Sequence, residues 1–146
     1  MVDSVAGDAT ALRALFREYA AWLGREGWFG DLEGELAALP GGYDAILVAR
    51  GGEKIVGCVA LRALGDGACE MKRLYVRPPG RGSGVGRALA EAIIERAREL
   101  GYRTMRLDTL PTMGAAQALY RALGFAQTER YNDNPVPGVL FFELEL

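Results

Sequence analysis

The chain of 146 residues contains no histidine. That absence excludes every Ser-His-Asp or Cys-His arrangement and every histidine metal site, so no metal is expected. A group that takes up a proton must then be a carboxylate, a tyrosine, a lysine or a water. Cysteine is scarce. Cys58 and Cys69 are the only two, each inside an apolar, strand-like run, so both are expected as buried thiols in a reducing compartment. No run approaches the ~18 apolar residues of a membrane span. The segment Met1 to Asp8 carries Asp3 and Asp8 and lacks the basic-then-apolar order of a secretory leader. A cytoplasmic location without a membrane partner is expected. The net charge of −2 supplies no basic field for nucleic acid. With no repeat, linker or low-complexity tract, one domain over residues 1–146 is expected.

What is present is strongly patterned. Asp8 or Thr10 could cap a helix running to about Leu23, with Leu12, Leu15, Phe16, Tyr19, Trp22 and Leu23 at helical spacing. Gly24, Gly27 and Gly30 break it, and a short helix is expected from Asp31 to Leu39. Strand signals follow at Ala45–Ala49, Lys54–Leu64 and Cys69–Val76. They are separated by turns at Arg50-Gly51-Gly52-Glu53 and Gly65-Asp66-Gly67, an antiparallel meander. The pattern then changes to a helix over Arg87–Leu100, a strand over Arg103–Thr109, a helix over Met113–Leu123 ended by Gly124, and a last strand over Val139–Leu146. Strand, helix, strand in one sheet implies a crossover and two parallel neighbours. The expected fold class is α/β with a mixed, mostly antiparallel sheet and a parallel pair at its centre.

Between the strand ending at Val76 and the helix starting near Gly84 lies Arg81-Gly82-Ser83-Gly84-Val85-Gly86. Glycines let the backbone approach a ligand. The first turn of a helix offers unpaired N–H groups and a positive dipole end, so the two together make an anion site suited to a pyrophosphate. Arg77, Arg81 and Arg87 add charge there. Two other phosphate motifs fail. A P-loop needs Gly-Lys-Ser/Thr, but Gly86 is followed by Arg87-Ala88. A dinucleotide fingerprint needs a third glycine at position 87 or 89, and those are arginine and leucine.

The stretch Glu70-Met71-Lys72-Arg73-Leu74-Tyr75-Val76, then Pro78, then Arg81 to Gly86, resembles the acyl-CoA signature of the GNAT N-acetyltransferase superfamily. Ala116, Leu119-Tyr120 and Gly124-Phe125 are similar to the downstream helix and turn of that family. The resemblance implies acetyl-CoA as co-substrate and two central strands that splay apart around its pantetheine arm. It implies a bulge in Cys69–Val76 and backbone contacts from Leu74, Tyr75 and Val76, with the Val76 N–H on the thioester carbonyl. Gly82, Ser83, Gly84, Val85 and Gly86, flanked by Arg81 and Arg87, would hold the pyrophosphate. Tyr120 would protonate the departing thiolate, although its place on the Ala116, Tyr120, Leu123 helix face also suits a core tyrosine. Glu70 aligns with a glutamate that serves some members as base, although it shares a strand face with Lys72 and the two could simply neutralise each other. Glu35, Asp108 and Glu143 are weaker candidates. Many members carry asparagine where Met113 stands, so either Thr109 or Thr112 substitutes in bonding the pantetheine arm or that bond is absent.

The acceptor side in this superfamily comes from the first helices and the last strands. That places Tyr19, Trp22, Trp28, Phe29, Tyr43 and the loop Tyr131–Gly138 near an amine substrate. Aromatics at helical spacing suit a core, so Trp28, Phe29 and Tyr131 are the expected pocket residues. The function implied is acetyl transfer to a primary amine of a small molecule. The alternatives are acetylation of a protein N-terminus or lysine and, in another class, a non-catalytic acyl-CoA sensor. A homodimer is left open, because dimers are common among oligomers.

Overall fold

The computed structural model describes residues 2–4, 10–24, 32–78 and 82–146. A short strand, β1 (Val2–Ser4), precedes helix α1 (Thr10–Leu23) and helix α2 (Leu32–Ala38). The meander follows as β2 (Ala45–Gly51), β3 (Lys54–Gly65) and β4 (Ala68–Val76). Then come α3 (Val85–Glu99), β5 (Thr104–Thr109), α4 (Gly114–Ala122), β6 (Ala126–Thr128) and β7 (Leu140–Glu145). The strands form one sheet in the order β1-β2-β3-β4-β5-β7-β6. Among the described strands only β4 and β5 run parallel, because α3 carries the chain from one to the other as the crossover that a parallel pair requires.

The turns take the residues their geometry demands. Between β3 and β4 the two turn residues are Asp66 and Gly67, with φ of 54° and 80°. Both central residues of a type I′ hairpin need positive φ, which Asp and Gly accept at little cost. Between β2 and β3, Gly52 supplies the positive φ.

Both faces of the sheet are covered, which is why its central strands read as continuous apolar runs. Leu47, Val59, Leu61, Met105, Leu107 and Phe142 pack on one face with Leu89, Ala90, Ile93 and Ala97 of α3. Ile46, Val48, Cys58 and Ala60 face the other way and meet Leu12, Leu15, Phe16 and Leu36 of α1 and α2. Each fully buried leucine, isoleucine or phenylalanine contributes about 1.5–3 kcal/mol. Gly57 permits the closest approach. A Cβ there would lie 2.8 Å from the Tyr75 carbonyl oxygen and 3.0 Å from Leu89, so any side chain would push β3 off β4 and α3.

The fold departs from the sequence expectation at its edges. β1 and β6, of three residues each, were not expected, because three residues are too few to display an alternation. Cys58 and Cys69 are free and buried as expected. Burial pushes both thiols up to about 12, and each donates to a backbone carbonyl, Cys58 to Arg73 at 3.2 Å and Cys69 to Thr104 at 3.4 Å.

Candidate active site

The parallel pair is short. β4 and β5 are in register only at Ala68 with Thr104, Cys69 with Met105 and Glu70 with Arg106. Beyond that point β5 stays paired to β7 through Thr109 with Leu140, while β4 stays with β3 up to Val76 with Gly57. The two central strands therefore diverge after Glu70 and Arg106, and a gap opens between them.

A bulge bends β4 at the mouth of this gap. On β3 the pairing steps two residues, from Cys58 to Ala60, while on β4 it steps three, from Tyr75 to Lys72. The extra residue lies at Arg73 or Leu74, and Arg73 has a left-handed φ of 58°, costly for a side chain this large. Two contacts hold it. The Arg73 guanidinium donates to both Glu35 oxygens at 2.6 and 3.0 Å, tying the bulge to α2, and the Arg73 carbonyl accepts the Cys58 thiol. Past the bulge, Arg77 N–H bonds Val56 O. Residues alternate between facing the partner strand and facing away in an antiparallel ladder. Val76, the neighbour of Arg77, thus directs its N–H away from β3, to the side where the gap lies.

A cavity of about 290 Å³ fills the gap. Met71, Lys72, Arg73 and Leu74 line it from β4, and Asp108, Thr109 and Leu110 from β5 and its end. Thr112 to Ala116 and Tyr120 line it from the start of α4. The bulge, the divergence and the first turn of α4 thus converge on one space.

The glycine turn lies between β4 and α3. Gly82 and Gly84 have φ of 79° and 84°, and a Cβ on either would meet nothing within 4 Å. Gly84 is the N-cap of α3, with no side-chain cap hydrogen bond, so the glycine turn and the first helical turn make a cradle of backbone N–H groups. Such a cradle fits a phosphate. Arg87, in the first turn of α3, is paired with Glu91 at 2.9 Å on the surface. Arg77 contributes less charge here than the sequence suggests. Its guanidinium is bonded to Glu18 at 3.0 Å and to the Ile55 carbonyl at 2.8 Å, so it fastens α1 to the end of β4. Arg81 lies outside the described residues.

Tyr120 is buried against Phe125 and Phe142 at ring-centroid distances of 5.8 and 6.3 Å, and it also lines the cavity. The ring thus packs in the core while the residue also borders the gap. Burial raises its pKa well above the ordinary tyrosine value. Thr109 is spent locally, since its hydroxyl donates to Met113 Sδ at 3.8 Å. Thr112 is exposed and borders the cavity.

A polar network occupies the face opposite α3. Glu70 is 1% exposed and does not line the cavity. Its Oε1 accepts Arg62 at 2.9 Å; its Oε2 accepts the Tyr131 hydroxyl at 2.6 Å and Asn132 Nδ2 at 3.3 Å. Lys72 stands 3.6 Å away. This geometry makes Glu70 an anchor for the Tyr131–Gly138 loop. Its role as a base touching substrate, expected from the sequence, is at odds with two fully engaged oxygens. Tyr131 likewise acts from behind the cavity wall. Burial and the Glu70 charge raise the pKa of its hydroxyl far above the ordinary value.

Asp108 is arranged differently. Asn132 Nδ2 at 2.7 Å and Asn134 Nδ2 at 3.2 Å both donate to its Oδ2, and none of the described residues bonds its Oδ1. Asp108 and Asn134 border the cavity. The two amides are held in place by Asx turns. Asn132 Oδ1 accepts the Asn134 N–H and Asn134 Oδ1 accepts the Val136 N–H, both at 3.0 Å. The sequence signal for this device is the alternation Asn132, Asn134 before Pro135.

On the α1 side, Tyr19 and Trp22 border the cavity and stack at 6.1 Å, with Tyr75 at 5.3 and 5.8 Å. Trp22 is 50% exposed. Helical spacing predicted core residues here; only Leu12, Leu15 and Phe16 are core, because α1 overhangs the gap at its C-terminal end. Trp28 and Phe29 lie outside the described residues. Among the described residues, no cluster could hold a metal ion and no helix is long and apolar enough to cross a membrane.

Comparison with known proteins agrees with this geometry. The sequence model of the acetyltransferase (GNAT) family matches residues 9–125. An uncharacterized N-acetyltransferase from Schizosaccharomyces pombe is 41% identical over 95% of this chain and 89% of its own length. The IAA acetyltransferase of Azospirillum brasilense is 38% identical over 68% of this chain and 67% of its own. Among solved structures, a putative acyl-CoA N-acyltransferase from Klebsiella pneumoniae superposes with a TM-score of 0.81 at 27% identity, covering 100% of this chain and 97% of that one. The chain therefore belongs to the GNAT acetyltransferase family as an N-acetyltransferase.

Proposed function

We propose that the chain transfers an acetyl group from acetyl-CoA to the primary amine of a small molecule, directly and without a covalent enzyme intermediate. One observation carries this reading: the β4–β5 pairing ends at Glu70 and Arg106, next to a β4 bulge, and the space so opened is bordered by Tyr120. The open cradle above Gly82 and Gly84 fits the pyrophosphate of the donor. Bound acetyl-CoA supplies a thioester whose carbonyl carbon the amine attacks, forming C–N and breaking C–S.

The residues of the chain divide the remaining work. The backbone of Leu74 and Val76 orients the arm, and the Val76 N–H polarises the carbonyl oxygen. Tyr120, kept protonated by burial, gives its proton to the sulfur. An amine must be neutral to attack, and Asp108 Oδ1 is the carboxylate oxygen placed to receive its proton. The amides of Asn132 and Asn134 hold that carboxylate in position. Glu70 positions the loop that carries them.

The test is an amine-panel assay of released CoA thiol, run beside Tyr120→Phe. Turnover on at least one small amine, with kcat reduced in the variant, is expected. Tight acetyl-CoA binding with turnover on neither small amines nor peptides would instead make the protein an acyl-CoA sensor.

A further inference from the structure

The acceptor side of the cavity carries charge of both signs, and its cation has no role in acetyl transfer as described. Four arginines on or near this face are each hydrogen-bonded by a carboxylate: Arg62 by Glu70, Arg73 by Glu35, Arg77 by Glu18 and Arg106 by Glu143. Lys72 is the exception. Its side chain is 13% exposed, and the one carboxylate within ion-pairing distance among the described residues is Glu70, at 3.6 Å. That exceeds hydrogen-bond length, and Arg62 already holds the same oxygen at 2.9 Å. Lys72 also borders the cavity, as does Asp108.

We propose that the acceptor is an α-amino acid with an apolar side chain, its carboxylate bound by Lys72 and its amine presented at Asp108. The inference rests on the acetyltransfer reading above and names the substrate class of that site. Charge complementarity favours it. A simple amine enters as a cation and meets the Lys72 ammonium at the cavity wall. A zwitterion places its negative end on Lys72 and its positive end on Asp108, so that neither half-buried charge is left opposed. Burial already pulls the Lys72 pKa below the ordinary lysine value, a penalty that a bound carboxylate offsets. Tyr19 and Trp22 form the apolar wall beside which the side chain lies.

The experiment compares matched pairs: leucine against isoamylamine and phenylalanine against phenethylamine, each with acetyl-CoA, in wild type, Lys72→Met and Lys72→Arg. At least one amino acid is expected to exceed its amine in kcat/KM by about tenfold or more, the value of one charge-assisted hydrogen bond. Lys72→Met should collapse that ratio and Lys72→Arg should restore most of it. Calorimetric titration of the favoured amino acid into the CoA-loaded protein should show the same loss of affinity in Lys72→Met, independently of turnover. Thermal protection of each variant by acetyl-CoA reports that it is folded. Equal or better use of the amines, or a ratio unmoved by Lys72→Met, overturns the inference. Acetyl-CoA protection without acetylation of either amino acid sinks the inference alone, whereas absence of protection in wild type sinks the donor assignment beneath it.

Discussion

The two sides of the β4–β5 gap are built from different materials. The donor side is mostly backbone: a bulge at Arg73, an N–H directed by the ladder at Val76, and a turn with left-handed Gly82 and Gly84. The acceptor side is mostly side chain: Lys72, Asp108, Asn134, Tyr19 and Trp22. Backbone geometry survives most substitutions of its neighbours, and it suits a donor that does not vary. Side chains can be exchanged singly, and they suit an acceptor that does. Changes on the donor side should therefore abolish binding or leave it intact, while changes on the acceptor side should grade activity and selectivity.

The largest effect is expected at the glycine turn. Gly84→Glu combines a left-handed φ with a carboxylate facing the phosphates. Acetyl-CoA affinity measured by calorimetry should fall by at least about 100-fold, while the conformational strain costs only about 1–2 kcal/mol, so circular dichroism should show a folded protein. Tyr120→Phe comes next, with kcat lower by about 10²-fold and acetyl-CoA affinity nearly unchanged. The sign of its pH dependence is fixed by burial. The phenol pKa is raised, so the acid stays protonated throughout the neutral range and no alkaline loss from this group appears below about pH 10.

Asp108→Asn should lower kcat/KM by about 10²-fold at pH 7, and the deficit should shrink as pH rises toward the pKa of the acceptor amine, which then loses its proton unaided. Glu70→Gln should act mainly on stability. It removes the charge facing Arg62 and Lys72 but keeps hydrogen-bonding groups, a cost of about 1–3 kcal/mol, read as a lower Tm. If Glu70→Gln lowers kcat more than Asp108→Asn does, without loss of Tm, the assignment of anchor and base is reversed. The smallest effect concerns the thiols. With Cys58 and Cys69 pushed up to about 12 against ~8.5 in the unfolded chain, the fold favours the neutral form. The stability this gives is full below pH ~8.5 and is lost as pH rises toward 12. At pH 8 a thiol reagent should therefore modify neither until the protein is denatured.

The elements on the side proposed for the donor were legible in the sequence because their signals are local. Glycines at 82, 84 and 86 ahead of an amphipathic helix, and the pattern around Tyr120, lie within short windows. The parallel pair followed from the alternation of strand and helix. The acceptor side was not legible in the same way, since it depends on distant residues meeting. That Glu70 would be capped by Tyr131 and Asn132, more than sixty residues on, has no local signal. Nor does the overhang of α1, which turns Tyr19 and Trp22 from core residues into a pocket wall. Arg77 shows the same limit: its sequence neighbourhood suggested a phosphate ligand, and Glu18, 59 residues away, claims it.

The most direct test of the donor site is the melting temperature of the wild-type protein with and without acetyl-CoA. At a hundredfold excess over Kd, binding stabilises the fold by about 2.7 kcal/mol. At about 2–4 °C per kcal/mol for a chain of this size, Tm should rise by about 5–10 °C, and Gly84→Glu should show no rise. A wild-type Tm unmoved by millimolar acetyl-CoA would contradict the account.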